Sequence, residues 1–333
     1  MRRKSVSYAK YGYIFCIPFV LAFLFFSFYP IIYTAVIGFT DFKGLGRTEF
    51  NFLENPFQNF ELIINNPSFR QSLSNTLIIW ILNFIPQILL ALLLTAWFTS
   101  HRRRIKGQGV FKVLFYMPNI ITAATIAILF NSLFGYPMGP VNDLFQTFGL
   151  STDPINFLIQ KWTARGIVSF IQFWMWYGYT MIVLISGVLG LNPELFEASE
   201  IDGASGAQTF LFVTLPNLRT ILLYTLITSM IGGLQMFDIP RLFLLGGPDN
   251  ATLTTSVFIY NQAFSGSYMY NRASAASMIM FVIISILSVI VFYIMRDKQE
   301  VEIERMKRRQ IREYRKAEKS GKAENEDARR SAV

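Results

Sequence analysis

Residues 71–100 read QSLSNTLIIWILNFIPQILLALLLTAWFTS, thirty consecutive residues without Asp, Glu, Lys, Arg or His. About 20 mostly apolar residues suffice for a helix to cross the hydrocarbon core of a bilayer. The same absence of charge holds for 11–40, 113–142, 166–193, 220–237 and 273–295. Soluble helices need a polar face, and these stretches have little of one. The expected fold class is therefore an all-α integral membrane protein with six transmembrane helices, at about 12–40, 71–100, 110–135, 166–191, 217–245 and 273–296. The fifth charge-free stretch is the shortest, and its span is expected to run past Asp238 towards Leu245.

Composition narrows the field further. Of the 333 residues 53% are hydrophobic and 15% charged, against roughly 25% charged in a soluble domain. Disorder needs the opposite balance. One Cys, Cys16, excludes a disulfide framework. With His101 as the single histidine, no metal site is expected.

The net charge of +9 is explained by where the basic residues lie. Twenty-three Lys and Arg fall before the first span, in the second-to-third and fourth-to-fifth loops and after the sixth span; seven fall on the other side. Short cytoplasmic loops collect Lys and Arg, so both termini are expected in the cytoplasm, and nucleic acid is not needed as a partner. Residues 1–10 form a cytoplasmic N-terminus and 297–333 a charged cytoplasmic tail, where Glu304 and Arg308 stand at helix-supporting spacing. Phe26-Ser27-Phe28-Tyr29-Pro30 is not a cleavage site, so the first span is read as uncleaved. The outer loop 136–165 contains an apolar 155–162 segment, expected as a short interfacial helix. Gly246-Gly247-Pro248 marks a turn.

One cytoplasmic loop, 192–216, breaks the basic pattern of its side. It carries Glu194, Glu197, Glu200 and Asp202. Asn192 suits an N-cap and Pro193 the first helical position. Gly203 can turn with positive φ. Ser205 and Gln208 have the spacing of a capping box. Pro216, after Leu215, marks the start of span five. Helix, turn and helix held between two spans form an element built to dock.

This loop resembles that of permease subunits of bacterial ABC importers, written E-A-A, three residues, Gly, nine residues, I-x-L-P. Here the chain reads Glu197-Ala198-Ser199, Gly203, then Val213-Thr214-Leu215-Pro216, with Asp202 and Ala204 flanking the glycine as in the sugar branch. Ser199 and Val213 are the departures. Asn75-Thr76, Pro118, Gly139 with Asn142, Phe237-Asp238, Gly246-Gly247-Pro248, Thr252 and Tyr260 follow the same branch in order, although Leu245 stands where that pattern has Thr. The resemblance is to the maltose and multiple-sugar type and covers roughly residues 11–295.

The resemblance implies a type I importer permease in a bacterial cytoplasmic (inner) membrane, in contact with lipid. A second homologous permease, a dimeric ATPase and an extracytoplasmic sugar-binding protein are implied as partners. Coupling to the ATPase is assigned to Glu197, Ala198, Ser199, Asp202, Gly203, Ala204, Leu215 and Pro216. No G-x-x-x-x-G-K-[ST] loop occurs, so ATP and Mg are expected in the ATPase, with no cofactor and no catalytic residues in this chain. Polar groups in spans tend to face a cavity. Gln172, Trp176 and Tyr179 share one face of span four; Ser229, Gly233 and Met236 share one of span five, with Gly232 beside it. These are the candidate substrate-path residues. Residues 166–193, 220–237 and 273–295 contain no Lys or Arg, which favours a neutral solute, and the resemblance implies that this is a neutral sugar or oligosaccharide. Glycerol phosphate and another solute remain alternatives, as do a membrane-embedded enzyme and an ion-coupled carrier using Asp238.

Overall fold

The computed structural model describes residues 9–44, 46, 49–100, 106–266, 268–295 and 305–313. In chain order the helices are α1 (Ala9–Phe23), α2 (Tyr29–Ile37), α3 (Gln58–Ile64), α4 (Pro67–Phe98), α5 (Gln108–Ile120), α6 (Ala123–Leu133), α7 (Pro140–Thr147) and α8 (Lys161–Leu189). They continue as α9 (Glu194–Ile201), α10 (Gly206–Gln208), α11 (Leu215–Asn217), α12 (Arg219–Leu234), α13 (Asp238–Leu244), α14 (Thr255–Phe264) and α15 (Tyr270–Met295). No strand is formed among the described residues, which carry a single isolated bridge between Thr40 and Phe52.

Five segments are long and apolar enough to span a membrane: Lys10–Ile37, Pro67–Phe98, Lys161–Leu189, Arg219–Leu244 and Tyr270–Met295. The first joins α1 to α2 through a π-helical turn at Leu24–Phe28. The expected third span is not one straight helix. α5 and α6 meet at 89°, and only when counted as one bent span do they bring the total to six. Pro118 lacks an N–H and crowds the carbonyl four residues earlier. Ile121 and Thr122 are then extended, and the Thr122 hydroxyl accepts from Thr125 N to restart the helix. The fifth span is also interrupted, between Leu234 and Asp238.

The expected interfacial helix at 155–162 is absent. That stretch is irregular up to Gln160, and α8 starts at Lys161. Phe157 is instead buried against the rings of Phe134 and Phe145. The short helix of this region is α7, and its Asn142 holds the loop by accepting from Ile155 N at 2.8 Å and donating to Ile155 O at 3.1 Å. Glu304, most of the tail and residues 1–8 lie outside the described residues, whereas 305–313 are helical.

Helix α8 is the spine. Ala91, Leu94 and Phe98 of α4 pack against Tyr177, Met181 and Leu184 of α8. Within this apolar contact Gln87 donates to Thr180 Oγ1 at 2.7 Å. On another side α5 lies so close that a Cβ at Gly178 would overlap the Phe115 carbonyl oxygen. Here glycine is required by backbone approach, as small residues permit in membrane helices.

The N-terminal ends of α4 and α8 are tied to the α13–α14 loop by polar side chains. Arg165 of α8 donates to Asn75 Oδ1 at 2.7 Å and to Ala251 O at 2.9 Å. Asn75 donates to Asn250 O and Leu253 O, and Thr76 Oγ1 accepts from Thr255 N. The Thr254 hydroxyl donates to Met236 O at 2.9 Å. The scattered Asn-Thr and Gly-Gly-Pro signals thus meet in one buried knot joining α4, α8 and the α13–α14 loop.

Candidate functional site: a polar cavity and an acidic helical loop

A cavity of about 360 Å³ opens between α4, α8, α12 and the start of α13. All six candidate path residues line it: Gln172, Trp176 and Tyr179 from α8, and Ser229, Gly233 and Met236 from or just after α12. The rings of Trp176 and Tyr179 meet edge to face at 5.8 Å and 86°. Both remain exposed, at 44% and 39%, so their faces are available for stacking.

The six differ in what they offer. Gln172 is nearly buried and has no hydrogen-bond partner among the described residues. Trp80 Nε1 of α4 lies 3.5 Å from the Ser229 hydroxyl, which is therefore partly engaged. Gly233 does not give space to a ligand, because Trp80 occupies the volume its Cβ would take. Its neighbour Gly232 is the open one, with nothing within 4 Å of a Cβ there. Met236 is buried and contributes side-chain surface while its carbonyl is held by Thr254.

Further lining comes from Asn83 and Gln87 of α4, Tyr224 and Thr228 of α12, and Gln235 and Asp238 at the break before α13. Asn83 and Gln87 stand at i and i+4 in the apolar middle of α4, the same signal that picked out α8. Applying it only to spans four and five missed them. Such a concave site, largely apolar with a few convergent polar groups, is the general form of a small-molecule site.

The 192–216 loop is a second site, built mostly by local chemistry. The Asn192 side chain accepts from Glu194 N and donates to its carboxylate, each at 3.1 Å. Pro193 occupies the cap position, one residue earlier than expected. At the other end of α9, Gly203 has φ +75°. Gly203 N donates to Glu200 O at 3.1 Å and Ala204 N to Ser199 O at 3.0 Å, the paired bonds of a Schellman turn. Ser205 and Gln208 then form both bonds of a capping box.

Ser199, a departure from the E-A-A pattern, has a structural use. It is buried, its hydroxyl donates to Phe196 O at 2.8 Å, and it lies 3.2 Å from Thr209 Oγ1. Phe196 packs with Val188 and Leu218 and so fixes α9 to the ends of α8 and α12. Glu197, Ala198 and Asp202 are exposed and Ala204 half-buried. A π-helical turn (Thr209–Thr214) follows α10 and leads into α11, where Leu215 is half-buried and Pro216 exposed. Span five begins only at Arg219, which donates to Met295 O of α15. The loop presents an exposed acidic face on a helix packed against the ends of α8 and α12.

Relatives bring the two sites into one frame. Residues 62–303 match the family described as binding-protein-dependent transport system inner membrane component. A lactose transport system permease protein of Rhizobium radiobacter is 30% identical over 86% of this chain and 95% of its own length. A multiple sugar-binding transport system permease protein of Streptococcus mutans is 29% identical over 87% and 97%. The arabinooligosaccharides transport system permease protein of Bacillus subtilis is 30% identical over 84% and 86%. The fold is similar to a chain of a bacterial ABC transporter that imports the acidic polysaccharide alginate, with TM-score 0.70, 23% identity and coverage of 85% and 94%. A second structure of that transporter, bound to an alginate pentasaccharide-bound periplasmic protein, matches with TM-score 0.70, 24% identity and coverage of 85% and 93%. The chain belongs to the family of binding-protein-dependent transport system inner membrane components, as a multi-pass membrane permease.

Proposed function

We propose that this chain is one of two permease subunits of an ATP-driven sugar importer, forming half of the path for a neutral sugar or oligosaccharide. The observation that carries the reading is the cavity. Aromatic rings, amides and hydroxyls converge there, and no Lys, Arg or His lines it among the described residues. Rings stack on sugar faces, and neutral polar groups exchange hydrogen bonds with hydroxyls. Relatives named for lactose, multiple sugars and arabinooligosaccharides support the same substrate class.

The cavity's open side and the bare α1 support a second, homologous permease as partner. An extracytoplasmic binding protein delivers the sugar, as the family description implies. Both termini and the 192–216 loop lie in the cytoplasm of an inner-membrane protein. Glu197, Ala198 and Asp202 dock on a separate ATPase, and closure of that ATPase on ATP is transmitted through α9 to α8 and α12. Glu197 and Asp202 supply charge for basic or amide groups, and the small Ala198 and Ala204 admit close backbone approach.

The test is reconstitution of both permeases, the ATPase and the binding protein in liposomes, with lactose, maltose and arabinotriose as probes. ATP-dependent uptake of at least one is expected, with none driven by an ion gradient through the permeases alone. Ion-driven uptake without the ATPase would overturn the reading. Gly203→Pro should abolish uptake while the permease pair still inserts, because proline cannot adopt φ +75°. Glu197→Lys should release the ATPase, losing about 1.5–3 kcal/mol of a charge-assisted contact, or about tenfold or more in affinity.

A further inference from the structure

Among the described residues the cavity lining contains one charged side chain, Asp238, at the start of α13. It is exposed, and among the described residues it has no hydrogen bond or ion pair. The cations that could neutralise it are engaged elsewhere. Arg241, one turn along α13, donates to Asn261 Oδ1 at 3.0 Å and lies 4.9 Å from the centre of the Tyr260 ring. Arg165 is committed to Asn75 and Ala251 in the buried knot. Neutral groups flank Asp238 in the lining: Gln235, Thr228 and Ser229 from the α12 side and Gln172 from α8.

Asp238 falls within the apolar segment Arg219–Leu244, where an ionisable side chain is costly and marks a functional contact. A carboxylate is acceptor-only and takes hydrogen bonds through two oxygens. Neighbouring hydroxyls of a sugar ring present two donors to it, and hydrogen bonds to a charged acceptor are stronger than neutral ones. A substrate carboxylate, sulfate or phosphate brings a like charge instead, with no basic residue in the lining to offset it.

We propose that Asp238 is a specificity-determining residue of this half-site: it accepts hydrogen bonds from sugar hydroxyls and rejects acidic saccharides. This rests on the sugar-import reading above and deepens it. The shared fold does not decide the point, since a transporter of the same architecture imports an acidic polysaccharide. Fold and substrate class are separable, and lining chemistry sets the second.

The experiment uses the complete importer of both permeases, ATPase and binding protein. Uptake of lactose, maltose and arabinotriose is measured first in liposomes. Equilibrium binding is then measured on the detergent-purified permease–ATPase complex, leaving out the binding protein so that its own selectivity does not enter. Probes are the best-transported neutral sugar and digalacturonate. Wild type should bind the neutral probe at least about tenfold more tightly than digalacturonate, a step well within one like-charge contact. Asp238→Asn should weaken the neutral probe and tighten digalacturonate, bringing the ratio near one. Asp238→Glu, which keeps the charge, should retain the preference.

An unchanged ratio in Asp238→Asn, or equal wild-type binding of both probes, overturns the inference and leaves sugar import standing. Failure of both variants to co-purify with the ATPase would make Asp238 structural and also overturn it. If the wild-type importer moves none of the neutral probes, the sugar reading itself fails and takes this inference with it.

Discussion

Helices α1 and α8 invert the rule that governs soluble proteins. The first span, Lys10–Ile37, is the more apolar of the two, yet no residue of its most apolar eighteen is buried; in α8 the share is 61%. The π-turn and α2 continue α1, and only the end of α2 packs on α15. Lipid tails are as apolar as Leu, so apolarity does not drive one membrane helix against another. Close backbone approach and polar pairs do. α8 has both, in Gly178 against Phe115 and Thr180 with Gln87. α1 and α2 contain no Asn or Gln at all. Hydropathy therefore finds spans but does not say which are central.

The largest test of this contrast is a pair of glycine substitutions. Gly178→Ala forces α5 from α8 and should cost about 2–3 kcal/mol, as overpacking does. Gly12→Ala meets nothing within 4 Å and should stay within about 0.5 kcal/mol. Thermal unfolding of the purified chain in detergent measures both, and equal losses would break the comparison.

A smaller effect comes from the polar pair. Gln87→Leu leaves the buried Thr180 hydroxyl without its donor and should cost about 0.6–1.7 kcal/mol, the range of hydrogen bonds between membrane helices. A cycle with Thr180→Val isolates the coupling between the two. The control is Ser27→Ala on the exposed first span, expected to be near neutral. A Ser27 effect as large as that of Gln87 would mean that α1 is held within this chain after all.

What could be read in the sequence follows the range over which each feature is decided. The turn at Gly203 and the capping box at Ser205–Gln208 are settled by a few neighbouring residues, so both were legible. The charge-free stretches located the long helices, but the criterion is loose. Residues 250–271 are also free of charge and fold around the ten-residue α14 beside the Arg165–Asn75 knot. The 89° bend depends on two extended residues after Pro118, and hydropathy passes straight through them. Phe157 went into aromatic packing with Phe134 and Phe145, partners distant in sequence, so the 155–162 helix did not form.

The cavity was half legible for the same reason. Period and polarity marked one face of α8 and one of α12, and those faces do converge. That α4 adds Asn83 and Gln87, and that Trp80 fills the space beside Gly233, are facts of packing between spans. Asp238 was visible as a lone acid near a span end, but its place in the lining depends on the break at Gln235–Phe237.

The most direct test of the central claim compares water and sugar access along the two helices. In a Cys16→Ser background, Trp176→Cys, Tyr179→Cys and Thr228→Cys probe the cavity, and Ile17→Cys, Val20→Cys and Leu24→Cys probe α1. Each is placed in the assembled importer and treated with a charged thiol reagent in vesicles of both orientations. The account predicts that the cavity positions react, that transported sugar slows their reaction, and that the α1 positions stay unreactive. Reaction along α1 with none at 176, 179 and 228, or cavity labelling indifferent to sugar, would contradict it.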